Sequence, residues 1–510
     1  MLEITKKYIS AILYSVLLTI LSTQCSASNI LEDDNQSSEL TFYFDPVNGN
    51  DNNSGESPEE AFASLKNFLN SPIQPGTTVL LKSGTVFEGP LVFTGSGTSD
   101  APIIITSYGG DKKPLIEGKG KEQYAVKIYN SNYLQLKNIE ITNTGNQPEP
   151  RRRGVIIEAN DCKISKSIVL DHLFIHDVNG SLVKKEGGGS AILWQNHGTF
   201  YTTKFDSLII QNCHIKDCTR NAINSRGYTN RNNWFPSTNV IIRNNLIEGV
   251  PGDGIVPIGT DGALIEYNIM RNCPDVMPGG DAAAGIWPWS ADNTLIQFNE
   301  VSGHKAKWDG QGFDSDWNCL NTTIQYNYSH DNYGGFLLVC NNGTTINTSG
   351  NIGTKNTIIQ YNISVNDGIR PYESDRRSWF SPLMHVTGPV ENTILFSNIF
   401  IIPEKQKEEI DRTVVQMDNW GGPWPNKTFF YKNVFSLSEE GNMGYGKDKN
   451  TSAMQNFILN KEFGLLEGSN TTIPSWAAMI VKSEDTDYKT KLINAFFKDD
   501  EAMQYLILNH

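Results

Sequence analysis

IIRNN (241–245), LIEYN (264–268), LIQFN (295–299), TIQYN (323–327) and IIQYN (358–362) are one five-residue phrase written five times. Each alternates apolar and polar positions, the period of a strand with one buried face, and each closes on Asn. Looser copies extend the series: QLKN, VLDH and IIQNC upstream, ILFSN and FFYKN downstream. The closing residues run Asn138, His172, Cys213, Asn245, Asn268, Asn299, Asn327, Asn362, Asn398 and Asn433, spaced 23 to 41 residues apart. Such spacing fits the coils of a solenoid, with loops of uneven length inserted at one edge. Asn has a purpose after a short strand. Its amide bonds backbone groups at the bend and the Asn one coil away, and it tolerates left-handed backbone.

Outward from the repeats, FYFDPVNGNDNNSGESPEEAFASL (42–65) opens with a turn-rich stretch and passes into a helical pattern from Pro58 to Leu69. Pro suits a first helical turn, and terminal units of repeat folds need a cap. This layout resembles the right-handed parallel β-helix, or pectin-lyase-like, proteins of secreted carbohydrate-active systems, over residues 41–435. The resemblance implies an all-β fold: a right-handed parallel β-helix solenoid with a short helical N-terminal cap. It also implies a carbohydrate partner, without choosing a reaction, because that fold hosts lyases, hydrolases, epimerases and adhesins. The polygalacturonase branch's Asn-Thr-Asp, Asp-Asp, His-Gly and Arg-Ile-Lys set does not occur here in order. Residues 436–510 read as a C-terminal cap or tail, helical in pattern near Lys489 to Leu508.

The chain begins with Lys6 and Lys7, an apolar run from Ile9 to Leu21, and small residues at Ser22, Ser26, Ala27 and Ser28. That is the order of a secretory signal peptide, expected at 1–28 with a linker at 29–40. A secreted or periplasmic protein follows. A lipid anchor on Cys25 is the lesser alternative, since Gln24 departs from the small residue usual there. No later run reaches the length of a membrane span. Lys plus Arg is 42 and Asp plus Glu 56, a net charge of −14. That balance argues against nucleic acid as a partner. The six cysteines after the leader lack paired zinc spacing and suit buried small apolar positions.

A second strand follows in each coil: INSR (223–226), IVPI (255–258), IWPW (286–289), FDSD (313–316) and FLLV (336–339). First and third positions are apolar or small and face inward. Second and fourth face out, because an unpaired charge in the core costs several kcal/mol. The outward columns then hold Asn224, Val256, Trp287, Asp314 and Leu337, and Arg226, Ile258, Trp289, Asp316 and Val339. Two carboxylates beside indole faces suit glycoside hydrolysis, which needs one acid protonated and one ionised. Asp314 and Asp316 are the expected catalytic pair, with Asp309 in reserve. Trp287, Trp289, Arg226, Trp308 and His330 are expected to bind sugar, and no cofactor is required. Two other readings use the same face. A lyase would act on a uronate with Ca²⁺ on Asp309, Asp314 and Asp316, and with Lys305, Lys307, Arg220 or Arg226 as base. A non-catalytic glycan-binding surface needs only the Trp columns.

Overall fold

A computed structural model describes residues 40–69, 73–346, 348, 350–371, 381–402, 404, 413–437, 444, 452–454, 457–460 and 464–465. The expected leader, almost all of the linker and most of 436–510, including the helical pattern near its end, lie outside the described residues. Among the described residues no helix is long and apolar enough to cross a membrane.

The repeated phrases become rungs of a parallel stack. One sheet of 16 strands runs from Thr41–Phe44 to Ser452–Met454, and a second of 14 strands from Val86–Glu88 to Gly464–Leu465. Among the described residues every strand pairing is parallel except the last, Leu459 with Leu465. In the first sheet Ile242, Ile265, Ile296, Ile324 and Ile359 lie in register and fully buried, one per coil. The β-branched side chain packs well on a pleated surface half sealed from water. Stacking also runs past residue 435: Ser452–Met454 and Phe457–Asn460 add a further rung to the two sheets.

The closing residues of the phrase form a buried amide ladder. Asn245, Asn268, Asn299, Asn327, Asn362 and Asn398 each donate Nδ2 to Oδ1 of the next, at 2.8 to 3.0 Å, ending on Asn433. Each amide also donates to a strand carbonyl, such as Ile265 for Asn299. Asn138 and His172 do not belong to this column. They stand one residue earlier, in a left-handed column (φ 56° and 53°) whose later members are Asn244, Tyr267, Phe298, Tyr326 and Tyr361. At those two rungs the buried column is filled by Ile139 and Leu173. The strained backbone is offset by stacking: Tyr267, Phe298, Tyr326 and Tyr361 lie face to face at 5.0 to 5.2 Å, one ring per rung.

The helix expected over 58–69 is reduced to a five-residue 3-10 turn, Leu65–Leu69. Upstream of it Phe62 is extended, bridging Phe44 in parallel. The Asp51 carboxylate takes the amides of Ala63 and Ser64 and the Ser64 hydroxyl. Those bonds use donors that a helix would have left to its first turn. All six described cysteines are free thiols, five of them buried.

The third wall of the stack is split. Six strands run from Leu91–Phe93 to Ile255–Val256, and four from Gln311–Ser315 to Val415–Asp418. Between them single bridges at Ile286 and from Ile258 to Trp289 carry the register, with backbone bonds such as Trp287 N–H to the Ile255 carbonyl at 3.0 Å and Asp314 N–H to the Ile286 carbonyl at 3.1 Å. Pro257 and Pro288 occupy equivalent positions on the two coils at the break, and each removes a ladder N–H.

Candidate active site

The expected inward column is Ile223, Ile255, Ile286 and Phe313, in register and buried. The last rung is shifted by one residue from the alignment made on sequence. Phe313 pairs with Leu337 and Ser315 with Val339, so Leu337 and Val339 belong to the core and not to the outer face. The outward residues there are Leu338 and Cys340. Beyond them the same columns continue to His385 and Gln416, and to Thr387 and Asp418. Phe336 misled the alignment because it is also apolar and buried.

Asp314 and Asp316 do share the outward face, and the loop before their strand brings Asp309 to them. Asp314 is only 3% exposed, and its Oδ1 is buried without a hydrogen-bond partner. Burial, then the charges of Asp309, Asp316 and Asp253, push its carboxyl well above the usual range. Asp316 is partly open to solvent. Burial raises it to about 6, against hydrogen bonds from Cys340 and Trp317 and the charge of Lys184 that pull it down. Both bonds fall on Oδ1: Cys340 Sγ at 3.0 Å and the Trp317 amide at 2.6 Å. The thiol itself is held protonated, its own pKa raised by burial and by Asp316. Thr354 clamps this pair, its hydroxyl within bonding distance of the carbonyls of both Asp316 and Cys340.

Asp309 sits with Trp308 on a two-residue strand paired with Ala282–Ala283. Arg370, buried, pins that loop through the carbonyls of Ala306, Lys307 and Asp309. Gly334 makes room for it. A Cβ at Gly334 would lie 1.7 Å from the Asp309 carbonyl oxygen.

Trp287 and Trp289 lie on the outer face with Val256, Ile258 and Ala284, apart from the main core. Trp287 is 6% exposed. Its indole Nε1 donates to Asp253 at 3.1 Å, and Lys184 Nζ stands 5.3 Å over its ring. Lys184 belongs to the 3-10 turn Lys184–Glu186, which reaches across from an earlier coil. Its amide donates to Asp281, and Arg220 ties Leu182 to Ala282 beneath it. Trp289 meets Trp317 edge to face at 6.2 Å. Arg226 is exposed on the second outward column, paired with Gln195. Arg220, a base candidate on the lyase reading, is fully buried between Asp253 and Asp281.

His330 stands elsewhere. It lies in the second sheet, on Tyr328–His330, between Ser302 and Val365. Its ring bonds Asp331 and Glu300, which raise its pKa to about 9 against the opposing effect of burial. It is a surface ion-pair residue, not part of the aspartate face.

Residues that the sequence did not single out are Cys340, Lys184, Arg370 and His385. Of these, Cys340 had a usable signal: shifting FLLV by one residue puts it beside Asp316. His385 continues Asp314's column two rungs on, bonded through Nε2 to Asp418 at 2.9 Å.

Residues 190–380 match the family described as "Right handed beta helix region". The chain is a right-handed parallel β-helix. A lacto-N-biosidase of Bifidobacterium longum subsp. longum is 28% identical over 427 residues, covering 65% of this chain and 26% of that protein. This chain therefore spans about a quarter of the length of that curated relative. The crystal structure of the GH136 lacto-N-biosidase from Eubacterium ramulus superposes with a TM-score of 0.57 at 23% identity, over 76% of this chain and 67% of that one. Its selenomethionine form gives 0.59 at 23% identity, over 84% and 69%. At that identity the structural likeness is one of fold.

Proposed function

We propose that this chain is an exported glycoside hydrolase acting on an oligosaccharide. The observation that carries the proposal is Asp314 and Asp316 on one outward face beside indole rings, with Asp309 on the loop before them and both carboxyls of the pair pushed upward. Hydrolysis needs one carboxyl that holds a proton and one that is ionised. Asp314 is nearly sealed and stays protonated, which disqualifies it as the ionised partner. Asp316 is reachable and titrates near about 6, the range in which an acid-base group works efficiently. Its Oδ1 is occupied by two donors, so Oδ2 carries the transferred proton. Asp309 is then the second catalytic carboxyl, and Asp314 is the group behind them. Trp289 and the uncovered edge of Trp287 offer apolar surface to a sugar ring. The exported character rests on the leader pattern at 1–28. The substrate class rests on the lacto-N-biosidase relative.

The test uses purified protein with a lacto-N-biose-bearing oligosaccharide and a panel of other neutral and uronate glycans. Reducing ends and ultraviolet absorbance are read together. New reducing ends without absorbance, lost in Asp309→Asn and Asp316→Asn, support the assignment. Absorbance growth would replace it with elimination. Full activity in Asp316→Asn would remove the residue assignment.

A further inference from the structure

The outward column that carries Asp316 is filled on one side of the aspartates and open on the other. On the C-terminal side it continues to Cys340 and Thr387, which are 1% and 0% exposed. Protein occupies that side. The 3-10 turn Gly343–Thr345 rests so closely on a later turn that a Cβ on Gly343 would lie 2.5 Å from the Gly422 amide nitrogen. Ile352 donates its amide to Asn318 Oδ1 at 2.9 Å, and Thr354 closes on the Asp316 and Cys340 carbonyls.

On the N-terminal side the column runs back through Trp289, Ile258, Arg226 and Gln195, one residue per coil. Arg226 is exposed and the other three are half-buried. This face therefore meets solvent all the way from Asp316 to Gln195, about 19 Å at the spacing of stacked strands. Its chemistry is graded. Trp289 and Ile258 are apolar, and with Val256, Ala284 and Trp287 they form a cluster apart from the main core. Arg226 and Gln195 are hydrogen-bonding groups. Among the described residues no side-chain hydrogen bond or ion pair occupies that guanidinium or that amide. Glu158, the next residue back, ends the series, because Lys127 at 2.8 Å and His197 at 2.9 Å already hold it.

A sugar chain fits this gradient. The C–H faces of its rings pack on indole and aliphatic side chains. Its hydroxyls accept from guanidinium and amide N–H groups and donate to the amide oxygen. We propose that Gln195, Arg226, Ile258 and Trp289 form a one-ended track for the distal sugars of a neutral oligosaccharide, leading to Asp316 from the N-terminal coils and stopping there. This deepens the glycosidase reading by giving its substrate a length and a direction, and it rests on that reading for the cleaved bond.

The probes are a neutral lacto-N-biose-bearing oligosaccharide and two series made from it, lengthened by two or four sugars at the reducing end or at the non-reducing end. Reducing ends released by the wild type report the glycosidase reading on its own. Calorimetric binding to Asp316→Asn reports the track whether or not any probe is cleaved. One series is expected to gain about tenfold in affinity with length. The other should gain nothing, since the column is filled beyond Asp316. The double variant Gln195→Ala/Arg226→Ala, made on the same background, should abolish the gain. Arg226→Ala alone, at an exposed position, should remove part of it, and decides the matter if the double variant does not fold. Gains in both series, gain in neither, no binding of any probe, or a gain untouched by these variants would each overturn the track.

Discussion

Two buried polar arrays run along this stack, and they are built on opposite terms. The asparagine ladder is neutral and closed. Each amide from Asn245 to Asn398 donates to the next rung and to a strand carbonyl. The aspartate face is charged and open. Asp314 Oδ1 has no partner, and three further carboxylates press on it. A satisfied buried hydrogen bond contributes about 1 kcal/mol, whereas a buried group left unpaired costs more than that. The ladder therefore holds the coils in register. The aspartate face draws on that stability to keep carboxyls at unusual proton affinities, as functional sites do.

The contrast breaks most sharply at the carboxylates themselves. Asp309→Asn and Asp316→Asn should each lower kcat by a factor on the order of a thousand, read as reducing ends on protein whose far-ultraviolet spectrum is unchanged. Breaking the ladder should do the reverse and cost stability rather than chemistry. Asn299→Leu strands the backbone N–H of Asn268, which donates to Asn299 Oδ1, and cuts both side-chain links of that rung, so urea unfolding should show a loss of about 2–4 kcal/mol. Asp314→Asn should move the other way and raise the midpoint at pH 7, because it removes a buried acid that resists ionisation. If it destabilises instead, the two arrays are alike after all.

Geometry separates the arrays next. Gly334→Ala should push the Asp309 loop away and lower kcat by about tenfold to a hundredfold, while Asp316→Asn leaves that loop in place. The pH dependence of stability follows from sign. Asp316 binds its proton more tightly folded than unfolded, so stability is greatest below the ordinary Asp value and declines as pH rises from about 4 to about 6. A melting series should show that decline and lose its Asp316 share in Asp316→Asn. The smallest effect concerns the thiol. Without the Cys340 donor, the limb of the kcat/KM profile belonging to Asp316 should move to higher pH by about half a unit. Cys340→Ala tests this, and Cys340→Ser should restore the limb.

How far the sequence led can be read from the same two arrays. The ladder was legible because it repeats: five near-identical phrases give period, register and buried side together. Asn138 and His172 were misplaced by one residue because polar side chains fill two adjacent columns, and only backbone conformation separates them. The Asp314 and Asp316 face was legible by alternation up to Phe313. One rung further the pattern failed, since Phe336, Leu337, Leu338 and Val339 are all apolar and all buried. Alternation has nothing to read in such a run. Lys184 and Arg370 were out of reach in principle, for they arrive on loops from distant coils. His330 was tempting by nearness in sequence, but adjacent strands of one coil lie on different walls.

The break in the third wall has a consequence for how the molecule breathes. The wall bearing the aspartates keeps its backbone bonds across these coils, Trp287 to Ile255 and Asp314 to Ile286 among them, but lacks the ladder N–H of Pro257 and of Pro288. Local opening starts where such ladders are thinnest. Amide exchange along this wall should thus be fastest around Trp287, and the candidate site lies where its own wall opens most readily.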